Sequence, residues 1–355
     1  MEKLHSIQYL RALAALLVVV AHSFSHQIGV ENPFVVLAGR LGVVLFFAIS
    51  GFIMVYISGS GAFSPATFLK RRAIRIIPLY WLFTGLTALI AAAIPTLLQT
   101  TVFTWPHFIQ SLLFIAHEAP GRGGTSPMLS LGWTLNYEAY FYVAFAALAT
   151  MGALTRVRLL TSLFAATWIA GLILAPENAI LKFYLNVSPL AFAAGAWIGW
   201  RQLNGGFRFG KHHIRALGCA AVTGVLLALV DDGRGWTMQL SFFGQVLCAA
   251  SLLAAALASE PRLKRVALLG LLGDSSYALY LSHMFVIGGV TRIATRLIGT
   301  ENDIGLLATT SACILASCCV AVLVHQRIEM PLLRLLSRKR RRDRLLQPNE
   351  VAAAR

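Results

Sequence analysis

Between Ile7 and His325 the sequence returns again and again to apolar runs of roughly twenty residues, and no other feature limits the fold so sharply. An α-helix rises about 1.5 Å per residue, so a run of that length matches the ~30 Å hydrocarbon core of a bilayer. The alternating pattern of a membrane β-barrel, with strands of ~10 residues, is absent. The expected fold is all-α: a polytopic membrane protein with about ten transmembrane helices, both termini in the cytoplasm. The spans are read at 7–28, 39–57, 78–98, 129–151, 159–175, 185–200, 214–230, 238–258, 271–290 and 304–325. Composition agrees: 57% hydrophobic and 12% charged residues, with a mean hydropathy of +0.72, exclude an ordinary soluble protein of 355 residues.

Arg11 inside the first run, the run's length and the lack of a convincing small-x-small cleavage site argue that it is a retained helix rather than a removed signal. The five cysteines lie within apolar runs and form no CxxC pair, which argues against a disulfide framework or a zinc site, and no metal is expected. The net charge of +16 raises the question of nucleic acid, but its distribution answers it. With a cytoplasmic N-terminus, all but six of the 30 Lys and Arg fall on the cytoplasmic side, the six being Arg40, Arg122, Lys182, Arg234, Arg292 and Arg296. That is the positive-inside bias of a membrane protein, with lipid headgroups as the partners of the basic charge.

Two connections are long. The outer segment 99–130 holds an apolar patch at 108–116, too short to span, followed by Gly121-Arg122-Gly123-Gly124. The second is the basic tail, 331–355, with Arg338-Lys339-Arg340-Arg341-Arg342 expected to rest on the anionic inner leaflet. Residues 1–330 are read as one transmembrane domain.

Several spans carry ionisable residues that a bilayer makes expensive. Arg11 and His22 are eleven residues apart, which brings them to one helical face at depths differing by roughly 16 Å. A mid-membrane arginine costs roughly 2.5–3.5 kcal/mol, so such residues face a cavity or a polar partner. Glu138 and His283 are each expected at a depth similar to that of His22, roughly 9–10 Å from the outer end of a span. Ser276, Tyr280 and His283 share a face by their i, i+4, i+7 spacing. His22, Glu138 and His283 are therefore expected in one outer-half layer. A lone intramembrane histidine also reads as a hydrogen-bonded packing residue, and for His283 both readings stand. On the cytoplasmic side, Lys70-Arg71-Arg72-Ala73-Ile74-Arg75 sets four cations before the third span. Topological anchoring explains some of them, but Arg72 and Arg75 sit one helical turn apart and can fork onto phosphate.

These residues carry a resemblance. Tyr9-Leu10-Arg11-Ala12 with His22, the Gly42–Phe52 stretch, Arg71-Arg72-Ala73-Ile74-Arg75-Ile76-Ile77-Pro78, Trp133 with Glu138-Ala139-Tyr140-Phe141-Tyr142, Ser276–His283 and Ile328-Glu329-Met330-Pro331 resemble, in order, the acyltransferase-3 family of integral-membrane O-acyltransferases. The opening and the Trp133–Tyr142 stretch most resemble the branch that acetylates bacterial exopolysaccharides. Tyr137 stands where other branches often carry a second acid.

The resemblance implies a bacterial inner-membrane enzyme with no bound cofactor. It implies transfer of an acyl group, acetyl foremost, from cytoplasmic acyl-CoA to a hydroxyl of an extracytoplasmic polysaccharide or lipid-linked glycan. It further implies donor phosphates on Arg71, Arg72 and Arg75 with Arg11 along the path, and Trp133, Tyr277 and Tyr280 as further substrate contacts. His22 would act as general base or as a transient acyl carrier, with Glu138 orienting it and His283 alongside. Association with polysaccharide assembly machinery is a further expectation. Gly42, Ser50 and Gly51 read as close-packing positions. The competing class is a transporter or flippase for a lipid-linked sugar, which ten spans and buried charges also fit.

Overall fold

The computed structural model describes residues 4–28, 32–98, 101–121, 124–207, 210–231, 233–297 and 303–336. Among these residues there is no strand; the chain forms α1 (His5–Ile28), α2 (Pro33–Ser58), α3 (Pro65–Ala93), α4 (Trp105–Leu112), α5 (Trp133–Ala147), α6 (Ala153–Leu174), α7 (Ala179–Tyr184), α8 (Pro189–Leu203), α9 (Lys211–Ala228), α10 (Gly235–Ser259), α11 (Ala267–Asp274), α12 (Ser276–Leu297) and α13 (Asp303–Val324). The sequence sets several starts directly. The Asn32 and Ser64 side chains accept backbone N–H bonds at the heads of α2 and α3, each followed by a proline with no N–H to leave unpaired. A π-turn, His325–Glu329, carries α13 on as helix through Leu336. Arg122, Gly123 and the basic run 338–342 lie outside the described residues.

Each of the ten expected runs falls on helix, and seven helical stretches are long and apolar enough to cross a membrane. The other three explain themselves. The helix of run 129–151 is confined to α5, of 15 residues, because a 3-10 turn at Ser130–Gly132 precedes it. Run 214–230 lies on a shorter apolar helix, His212–Ala228. Run 271–290 is split at Ser275 between α11 and α12, and α12, though 22 residues long, is made less apolar by His283, Arg292 and Arg296. Large apolar side chains such as Leu89, Leu163, Ile173, Leu226 and Leu315 point outward from many of these helices, the arrangement of a polytopic membrane protein whose outer solvent is lipid.

α2 lies between α1 and α8, and the α2–α8 contact is backbone on backbone. A Cβ on Gly195 would stand 1.8 Å from the carbonyl oxygen of Ala48, and one on Gly51 would stand 2.0 Å from that of Phe192. Neither helix can move aside without dismantling the main core, where Phe47 stacks on Phe192 and Phe192 on Phe141. Gly51 is thus a close-packing residue as read; Ser50 instead spends its hydroxyl on Glu138.

The outer segment is fastened to α3 rather than left loose. Tyr80 donates to the Ser111 carbonyl (3.0 Å), Trp81 to that of Leu112 (2.9 Å), and Phe114 packs on the Tyr80 ring. His107 and His117 meet ring nitrogen to ring nitrogen at 2.6 Å, and His117 Nδ1 donates to the Ile115 carbonyl. Burial first, then His117, pull the His107 imidazole down to about 4.

Two outcomes follow from this packing. Gly195→Val is expected to cost about 3 kcal/mol or more, read as a lowered thermal midpoint in detergent, whereas Gly218→Val, whose added carbon meets nothing, leaves the midpoint unchanged. Because His107 stays neutral in the folded chain while an unfolded histidine takes up a proton, stability falls as pH drops from about 6.5 towards about 4. His107→Gln should flatten that part of a midpoint-against-pH curve.

Candidate active site

Two adjoining cavities divide the bundle's interior. The lower one, on the side where α1 begins, has a volume of about 150 Å³; Arg11, Arg72, Arg75, Ser50, Glu138, Tyr142 and Tyr277 supply its polar wall. The upper one, of about 520 Å³, is bordered by His22, Trp133, Arg40, Asn186, Gln239 and Gln245. Val43, Phe47 and Tyr280 line both and form the partition. α1 runs unbroken past the two, delivering Arg11 to the lower cavity and His22 to the upper.

The lower cavity is assembled from five helices, α1, α2, α3, α5 and α12, and held at its base. Glu260 accepts the backbone N–H groups of His5 and Ser6 (2.7 Å each), placing a carboxylate at the positive end of α1. Tyr9 bonds to the Lys264 carbonyl and the Val266 N–H, fixing the depth of Arg11 two residues on. On α3, Arg72 and Arg75 sit one turn apart as the sequence predicts, but in different electrostatic states. Arg75 Nη1 lies 2.5 Å from Glu329 Oε1, and the other oxygen of that buried carboxylate is 2.7 Å from His325 Nδ1. The Arg75 guanidinium also sits 5.9 Å over the Tyr277 ring, whose hydroxyl donates to the Ile76 carbonyl. Arg72 has no ion pair among the described residues, and its Nε is buried without a partner. Arg11 makes one long bond, 3.5 Å to Gln8. Arg71 is exposed and is not part of the cavity wall.

His22 Nδ1 lies 3.0 Å from His283 Nε2, and His283 Nδ1 lies 3.1 Å from the Leu279 carbonyl. A carbonyl only accepts, so His283 Nδ1 carries its proton. Its Nε2 is then an acceptor when neutral, and His22 Nδ1 must donate to it. The chain of bonds leaves the lone pair of His22 on Nε2. His283 is fully buried, so His22 is the member of the pair that meets the cavity.

Glu138 is the departure from expectation. It does not join the two histidines: its carboxylate accepts from Ser50 (3.0 Å) and from Tyr142, one turn further along α5, and faces the lower cavity. The partner that orients His22 is His283. The physical reason is rotation: the face of α5 that carries Glu138 and Tyr142 is turned to Ser50 of α2, which matched depth alone does not reveal. Trp133 borders the upper cavity and Tyr277 the lower, while Tyr280 bonds to the Leu131 carbonyl (2.9 Å) and the Thr134 hydroxyl (2.8 Å) within the partition.

Sequence reading did not pick out Glu329, His325 or Tyr142 as parts of this site. A signal existed for all three: Tyr142 is four residues from Glu138 and so on its face, and His325 and Glu329 share the same spacing. Nothing in the sequence marks Asn186, Gln239 or Gln245, because an amide in an apolar helix, as for Gln239 and Gln245, or in a turn, as for Asn186, is an ordinary structural residue.

A family model described as an acyltransferase domain matches residues 4–326. The chain is 34% identical over 300 residues to the exopolysaccharide production protein ExoZ of Rhizobium meliloti (strain 1021), covering 83% of this chain and 90% of that protein. It is 28% identical over 389 residues to the acyltransferase MdmB of Streptomyces mycarofaciens, covering 95% and 94%. No solved structure matches. Cations around one cavity, a directed imidazole at the next and a match along nearly the whole chain lead to one assignment: this multi-pass membrane protein belongs to the acyltransferase-3 family.

Proposed function

We propose that the protein moves an acyl group, acetyl foremost, from cytoplasmic acyl-CoA to a hydroxyl of an extracytoplasmic polysaccharide or lipid-linked glycan, in the bacterial inner membrane with both termini in the cytoplasm. One observation carries the reading: His22 Nε2, left as a bare acceptor by the bond to His283, borders one cavity while Arg11 of the same helix borders the other. The relative named for exopolysaccharide production supports a polysaccharide as acceptor.

The lower cavity, about 150 Å³, is too small for a nucleotide and suits a narrow arm. In this reading the donor's phosphates stay at the rim on Arg71 and Arg72, and Arg75 is held in place by Glu329. The pantetheine arm passes Arg11 and Glu138 and brings the thioester to the partition beneath His22. The acceptor hydroxyl attacks the thioester carbonyl as His22 Nε2 takes its proton. Collapse of the tetrahedral adduct breaks the carbon–sulfur bond, and the thiolate leaves as the thiol once it receives that proton. His283 supports the transient imidazolium through its Nε2 lone pair, the place a carboxylate takes in other histidine-based sites.

In a deletion strain, the unaltered chain is expected to restore ester-linked acetyl on surface polysaccharide, and His22→Ala, at matched membrane level, to lower it at least 100-fold. Equal restoration by both would remove His22 from the chemistry. A change in polysaccharide export with no change in acetyl would favour a transporter. Arg72→Ala should raise the acetyl-CoA concentration for half-maximal transfer about tenfold, measured on protein in liposomes, with kcat little altered.

A further inference from the structure

We propose that the upper cavity is an acceptor subsite for an uncharged, hydroxyl-rich sugar residue, recognised by the side-chain amides of Asn186, Gln239 and Gln245 with Trp133 as an apolar wall. This rests on the acyltransferase reading above and adds to it the residues that select the acceptor.

Each amide is fixed by one end and open at the other. Asn186 Oδ1 accepts from both the backbone N–H (2.9 Å) and the hydroxyl (2.7 Å) of Ser188, so its Nδ2 carries the free donors. Gln239 Oε1 accepts from the indole of Trp168 (3.1 Å), which leaves Nε2 to donate. Gln245 Nε2 donates to Ser241 Oγ (3.2 Å), and that hydroxyl donates to the Ala228 carbonyl (2.8 Å), so Gln245 presents Oε1 as an acceptor. All three residues line one space with His22.

A ligand whose own groups match these free ends can replace the water that would otherwise meet them, keeping their hydrogen bonds. Two donor positions and one acceptor position suit hydroxyls, which both give and take hydrogen bonds. The charge balance argues the same way. Among the described residues the single permanent cation on the wall, Arg40, is already paired with Asp231 at 2.6 Å, so none of them holds a free charge for an anion. Trp133 is 36% exposed, and its indole is set edge-on against Phe47 and Tyr137, which makes it a rigid face for a sugar's C–H side. At about 520 Å³ the space is in the range of small-molecule sites.

The test uses the full chain in liposomes, labelled acetyl-CoA, and polysaccharide purified from a strain lacking this protein. Gln245→Leu and Asn186→Leu are each expected to raise the polysaccharide concentration for half-maximal transfer about tenfold. The rise in thermal midpoint produced by acetyl-CoA should match that of the unaltered chain, which reports an intact fold and donor site. Unchanged half-saturation in both variants would overturn the proposal, as would loss of the acetyl-CoA response together with transfer. An unaltered chain that responds to acetyl-CoA but acylates no polysaccharide would sink the acceptor site alone. One that does neither would remove the acyltransferase reading beneath it.

Discussion

Hydrocarbon offers a polar side chain nothing to bond with, and that single constraint accounts for most of this structure. Several buried charged or ionisable groups find specific partners. Arg156, fully buried, donates to the carbonyls of Gly61 and Met151 and lies over the rings of Phe63 and Phe145. Glu329 has Arg75 on one oxygen and His325 on the other. His283 has His22 on one nitrogen and a carbonyl on the other. Among the polar groups that line the two cavities, Arg72 at one and the outer nitrogen of His22 with three half-used amides at the next keep bonding capacity.

Such assignments need a scaffold that does not drift. α2 supplies it, pressed against α8 where Gly51 and Gly195 allow backbone to touch backbone. The same helix contributes Ser50 to Glu138 and places Val43 and Phe47 between the cavities. A helix packed for closeness on one face thus builds the site on the other. The link from sequence to function runs through those glycines as much as through the charged residues.

The fold was largely legible because a run's length and apolarity depend on the run alone. The shared face of Arg11 and His22 was legible for the same reason: one helix relates them, and its pitch is known. Pairings between helices were not. Depth along two separate helices brought His22 and Glu138 to one layer on paper, but depth says nothing about rotation. The face of α5 that carries Glu138 is turned to Ser50 instead. The Arg75–Glu329 pair, 254 residues apart in sequence, was hidden likewise, since only the folded chain brings the closing segment back under α3.

The partition of Val43, Phe47 and Tyr280 bears on something other than catalysis. A protein open to both sides of a membrane risks short-circuiting the ion gradients the cell maintains across it. Here the two chambers meet at two hydrocarbon side chains and one phenol whose hydroxyl is already bonded to Leu131 and Thr134, so a hydrated ion finds no replacement for its water shell. The uncharged thioester arm of the proposed donor would have no such shell to lose. The partition therefore works as an electrical insulator between the two chambers, a barrier to current set by the same side chains that shape the site.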